Sequence, residues 1–287
     1  MWESVGAVLD ERRAHQPGLS FRDPSLSCTR TRAKCLSSRA WRSMVALSTE
    51  QFLVQLLADV DISRDVALAN PIAAVPSTPE WNALSLFGHI AQNLAYAAWV
   101  LTETPRLESS IAHPPLRDDF ASWLDEFQAW ASVGVDRFVT AVYAAKGRSD
   151  VTNWTGANTT PDFWARRMCH ETAIHRWDLE NAAGATTPLP PEIAVDALAE
   201  LTDVLIPHWM QPRRPDLSVP PLRLRAVDIP IEVTIGPTEQ TAGDISELSA
   251  TASELVLILL GRLEPTTADH DAGAVVAWRR LCRFADA

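Results

Sequence analysis

The sequence predicts an α+β protein: a four-helix bundle over residues 44–206, a Pro-rich linker over 207–221 and a small α+β unit over 222–287. Three observations predict it. Apolar residues recur at three- and four-residue spacing through four long segments after Leu47. Five prolines fall within residues 207–221, a composition that marks a boundary. Beyond them the apolar period drops to two, as in half-buried strands.

The elements follow in order. Ser48-Thr49-Glu50-Gln51 has capping-box spacing and opens a helix whose apolar face runs through Phe52, Leu53, Leu56, Leu57 and Val60. A loop with several prolines, residues 70–79, leads to a second helix over 80–103, with Leu84, Phe87, Ile90, Ala91, Leu94, Ala98 and Leu101 inward. A third helix, rich in Trp and Phe, spans 118–145. Thr160 before Pro161 starts a fourth, which continues to Asn181 and ends where Gly184 can terminate it. A further helix is expected over 191–206. Leu222, Leu224 and Ala226, then Ile229, Ile231, Val233 and Ile235, alternate as strands, and 252–262 and 274–284 read as helices. Residues 1–43 stand apart, with eight Lys/Arg against four acids. Their basic, Ser- and Thr-containing run has the composition of a transit peptide but no signal-type apolar region. The helix start just after Met44 favours a disordered or mis-called N-terminal extension, and these residues are left out of the fold.

With 47% hydrophobic and 21% charged residues, the 287-residue chain has the balance of a folded protein. A net charge of −11 argues against nucleic acid as a partner, because phosphate affinity needs clustered Lys and Arg. No stretch approaches the ~20 apolar residues of a membrane span. Cys28, Cys35, Cys169 and Cys282 are too few and scattered for a disulfide scaffold, so a cytoplasmic location is expected.

The chemistry is concentrated in Arg167-Met168-Cys169-His170-Glu171-Thr172-Ala173-Ile174-His175-Arg176-Trp177-Asp178. This is not the His-Glu-x-x-His pattern of zinc proteases, since the second histidine falls one residue late. On a helix His170 and His175 lie about 140° apart and cannot share an ion, whereas Glu171 and His175 are only about 40° from eclipsed. A catalytic divalent-metal centre usually takes three protein ligands. His89, inside a long helix beside Gly88 and among core positions, is the natural third. Each has a plainer reading. A Glu/His pair four apart is commonly a solvated surface pair, and a histidine in an apolar helix is commonly a hydrogen-bonded core residue. Asp178 either orients His175 or is a surface acid of the last turns. Arg167 either binds an anionic substrate or pairs with Glu171. Cys169, on another face, reads as an inert buried thiol.

Two segments resemble the mycothiol-dependent maleylpyruvate isomerase family, whose metal-binding domain has the DinB-like four-helix fold. They are Val75-Pro76-Ser77-Thr78-Pro79-Glu80-Trp81 with Leu86-Phe87-Gly88-His89-Ile90-Ala91, and Arg167-x-x-His170-Glu171-x-x-x-His175-Arg176-Trp177-Asp178. Carried over position by position, the family's ligands fall on His89, Glu171 and His175. Residues 222–228, 251–255 and 260–262 are similar to the family's sterol-carrier-like C-terminal domain; His270-Asp271-Ala272-Gly273 departs from its usual Gly-Asp.

The resemblance implies a divalent ion of the zinc type, mycothiol as thiol cosubstrate and a small-molecule electrophile. Metal coordination generates a thiolate at neutral pH, which would add to a cis double bond, permit rotation and leave, or would stay attached. The first outcome is a cis-trans isomerase and the second a thiol S-transferase. The alternative from another class is a non-catalytic metal-binding or apolar-ligand carrier protein.

Overall fold

The computed structural model describes residues 46–103, 120–210, 219–236, 245–265 and 272–283. Residues 1–43, with His15, Cys28 and Cys35, lie outside the described residues, as do His113, linker residues 211–218 and His270-Asp271.

Four long helices form the N-terminal part: α1 (Thr49–Ala69), α2 (Ala83–Glu103), α3 (Phe120–Ala144) and α4 (Pro161–Ala182). Ser48 caps α1 through a complete capping box with Gln51, satisfying two backbone donors that the first turn leaves free. Phe52, Leu53, Leu56 and Val60 of α1 are buried, as is every inward position expected of α2. The second helix starts three residues later than the periodicity suggests. Asn82 accepts from the Ser85 N–H at 2.8 Å, so the residues before it belong to the loop.

Helix α2 packs chiefly on α3, and α1 on α4. Gly134 allows the first approach: a Cβ there would stand 3.0 Å from the Ala91 carbonyl oxygen. Helix α4 is unusual in being polar yet buried nearly all round, with His170, His175, Arg176, Asp178 and Glu180 among its buried residues. Each finds a charged or polar partner, which is what makes such burial tolerable. Arg176 pairs with Asp59 of α1 at 3.1 Å and with Glu180 at 2.6 Å.

Helix α5 (Pro191–Glu200) runs into a π-helical turn, Leu201–Leu205, and a short α6 (Ile206–Trp209). The sheet has strands β1 (Leu222–Ala226), β2 (Glu232–Ile235) and β3 (Ser246–Ala250) in the order β2-β1-β3. β1 is antiparallel to β2, with Leu222 opposite Ile235, and parallel to β3, with Leu222 opposite Ser246. The sequence reading has no counterpart of β3, because only Leu248 in it is a buried large apolar residue and no alternation shows. Helices α7 (Ala252–Leu259) and α8 (Ala272–Arg283) complete the chain. α7, capped by Thr251 and Glu254, packs against α5, and the Leu189 N–H donates to Ser253 Oγ at 2.9 Å. The fold is α+β; these contacts set α7 against α5, and Arg262 after α7 pairs with Asp178 of α4. No helix among the described residues is long and apolar enough to cross a membrane.

Candidate metal centre

Three local arrangements aim the side chains. The loop before α2 folds back on itself, with the Val75 N–H donating to the Trp81 carbonyl and the Ala83 N–H to the Ala73 carbonyl. Trp81 thereby lies against His89, ring centroids 4.7 Å apart and planes tilted by 44°. Gly88, immediately before His89, leaves room for Phe127 of α3, whose ring would meet an added Cβ at 3.2 Å. On α4, Pro161 sits at the first turn, where its missing N–H costs nothing.

His89, Glu171 and His175 each offer a ligand atom, and these atoms all lie within 4.8 Å of one another. The two imidazoles meet edge to face, with centroids 5.1 Å apart. Glu171 divides its oxygens: Oε1 lies 3.2 Å from His175 Nε2, while Oε2 accepts from Arg167 Nη2. Asp178, fully buried, places Oδ2 3.1 Å from His175 Nδ1 and 3.4 Å from Arg262 Nη2. Two imidazoles and one carboxylate, with a buried carboxylate behind one imidazole, form a donor set suited to a zinc-type ion. Asn93 Nδ2 donates to His89 Nε2 at 2.9 Å, which favours the neutral ring.

The two histidines are driven apart electrostatically. Burial, helped by the neighbouring His175, pushes His89 down to about 4. Burial also opposes charge on His175, but the Asp178 and Glu171 carboxylates outweigh it and raise that imidazole to about 9. Glu171 is held well below the usual carboxylate range: burial works against this, and Arg167, His175 and His89 overcome it. Asp178 is lowered in the same way, with His175 and Arg262 overriding burial.

Residues 55–180 match the family described as the mycothiol maleylpyruvate isomerase N-terminal domain. This span of the helical part is similar to that family. The matched span holds His89, Glu171 and His175. Two crystal structures are similar in fold, one of the mycothiol-dependent maleylpyruvate isomerase and one of a histidine-to-alanine mutant of it. Each matches with a TM-score of 0.52 at 17% identity, covering 78% of this chain and 97% of that one. No curated protein matches the chain in sequence.

A cavity of about 110 Å³ opens beside Glu171 and His175. Arg167, Glu171 and His175 line one side; Ile174, Leu201, Leu205, Val256 and Leu260 supply apolar wall. The π-helical turn thus faces the cavity, a placement typical of such turns at functional sites. His170 also borders it but turns away from the three donors, with Nδ1 2.8 Å from Glu200 Oε2. Cys169 is fully buried and free, and burial pushes its thiol well up. The sequence reading missed Glu200 and Arg262. Neither carries a local signal, because each reaches the site from an element remote in the chain.

Proposed function

We propose that the protein is a metal- and mycothiol-dependent enzyme that acts on a small electrophile as a cis-trans isomerase or a thiol S-transferase. The observation that carries this reading is the convergence of His89, Glu171 and His175, the last two of which line a mixed polar and apolar cavity. The similarity of residues 55–180 to a mycothiol maleylpyruvate isomerase domain family supports it. A divalent ion, zinc by the nature of the donors, would supply the acidity that deprotonates a coordinated thiol near neutral pH.

The chain's own residues would do the rest. His89 and His175 would hold the ion from two helices, so the site depends on how α2 and α4 pack. Asp178 takes a hydrogen bond from Nδ1 of His175, so Nε2 would be the nitrogen available to an ion. Glu171 gives one oxygen to the centre while Arg167 balances the other. Ile174, Leu201, Leu205, Val256 and Leu260 keep water away from a small electrophile. Arg262, reaching the cavity from the C-terminal elements, gives that wall a cation. The buried Cys169 and Cys282 do not compete as nucleophiles.

The test is elemental analysis of the purified full-length protein beside a His89→Ala, His175→Ala double variant. About one zinc equivalent is expected in the parent and near none in the variant. Mycothiol added to cobalt-loaded protein should then give a thiolate-to-metal absorption band. No ion in the parent after reconstitution would overturn the reading and leave a carrier protein as the better account. Isomerase and transferase separate by product, a rearranged free electrophile against a stable thioether.

A further inference from the structure

The Arg167–Glu171 pair belongs to a longer chain of contacts that ends in two acids of α5, Glu200 buried and Asp196 half-buried. Asp196 and Glu200, four residues apart and so on one helix face, grip His170 from both sides. His170 Nδ1 lies 2.8 Å from Glu200 Oε2 and Nε2 lies 3.1 Å from Asp196 Oδ1. The His170 and Glu200 side chains are only 1% and 3% exposed, so the contact between them operates out of water. Arg166 fastens Asp196 in turn, Nε to Oδ1 at 2.5 Å.

Glu200 Oε2 serves two donors. Besides His170 it accepts from Arg167 Nη1 at 3.3 Å, while Arg167 Nη2 donates to Glu171 Oε2. The planar guanidinium therefore spans two carboxylates, one in the candidate centre and one in the grip on His170. A flat, rigid fork with both ends engaged has little freedom to rotate. Nothing in the metal reading requires Glu200 or His170, neither of which is among the three candidate ligands. Burying them is costly unless they are paired.

We infer that Glu200, anchored by His170, is a positioning residue that holds Arg167 on Oε2 of Glu171, so that Glu171 presents Oε1 alone to an ion. This rests on the metal reading above and assigns a role to the histidine that lies outside the candidate ligands. Holding Glu171 to one oxygen keeps the coordination number low and leaves room at the centre for a thiol.

The experiment compares the full-length parent with Glu200→Gln and Arg166→Met. Zinc affinity is read by competition with a chromogenic chelator, coordination by the visible spectrum of the cobalt-loaded protein, and folding by circular dichroism. Glu200→Gln is expected to weaken zinc binding by about tenfold or more. It should also dim the cobalt bands, as both Glu171 oxygens engage and the coordination number rises. Arg166→Met, which loosens the same grip at its far end, should leave the spectrum unchanged. Parental affinity and spectrum in Glu200→Gln would overturn the inference. So would weakened affinity with the parental spectrum, since Glu200 would then act only on stability. Should Glu200→Gln fail to fold, Glu200→Asp, which keeps the charge but shortens the reach to Arg167, takes its place with the same two outcomes. If the parent itself binds no ion, the metal reading falls, and a crystal structure of the variant decides the clamp. Arg167 turned away from Glu171 supports it, and Arg167 still on Oε2 overturns it.

Discussion

His175 stands between two carboxylates, Glu171 on Nε2 and Asp178 on Nδ1, and it keeps its proton at neutral pH because of them. With the imidazole raised to about 9 and His89 lowered to about 4, an arriving ion meets one charged and one neutral imidazole. Ion binding at pH 7 should therefore release about one proton, from His175. Calorimetric titration with zinc in buffers of different ionisation enthalpy measures this, and zero release would contradict the electrostatics described here. The same two groups set the stability of the ion-free protein. Between about 4 and 6.5 the unfolded His89 takes up the proton that the folded one refuses, so stability rises with pH there. From 6.5 to about 9 the folded His175 holds a proton that the unfolded one has lost, so its contribution falls with rising pH.

Helix α4 works as the hub because its polar residues reach partners on several other segments: Asp59 on α1, His89 on α2, Asp196 and Glu200 on α5, and Arg262 beyond the sheet. Its amphipathicity is accordingly weak as a sequence signal, and its start is legible only from Thr160-Pro161. The pairing is also where the helix is vulnerable. Arg176 and Asp59 are each 2% exposed, and Glu180 is close by. Arg176→Met removes the shared cation and leaves two acids buried, so urea denaturation should show a loss of about 3–5 kcal/mol. A loss below about 1 kcal/mol would mean that the acids reach water or simply take up protons.

For the whole molecule the question is whether the helical residues 44–206 and the C-terminal residues 222–287 behave as separate domains. The described residues lie within one compact unit, Cys35–Ala287. The Leu189–Ser253 hydrogen bond and the Arg262–Asp178 pair cross the proposed boundary. We expect a single calorimetric unfolding transition that zinc moves upward, by about 4 kcal/mol of added stability at a thousandfold excess over its Kd. Two transitions, with only the one moving, would make the two regions thermodynamically independent.

The starts of α1 and α4, the change of period after residue 221 and the pairing of Glu171 with His175 on one helix face are local properties, and the sequence by itself determined them. Capping, periodicity and a 3.6-residue turn act over a few neighbours and need no tertiary contact. The family resemblance of His89 and of the Arg167–Asp178 segment was legible in the same way. What only the tertiary structure decided is how the two oxygens of Glu171 are shared, where His170 turns and which distant side chains close the site. Glu200 and Arg262 enter from α5 and from the turn after α7, so no spacing along the chain encodes their meeting with α4. Strand β3 escaped for a related reason. Its five residues carry one buried large apolar side chain, and it is a strand because β1 offers it a parallel edge to pair with.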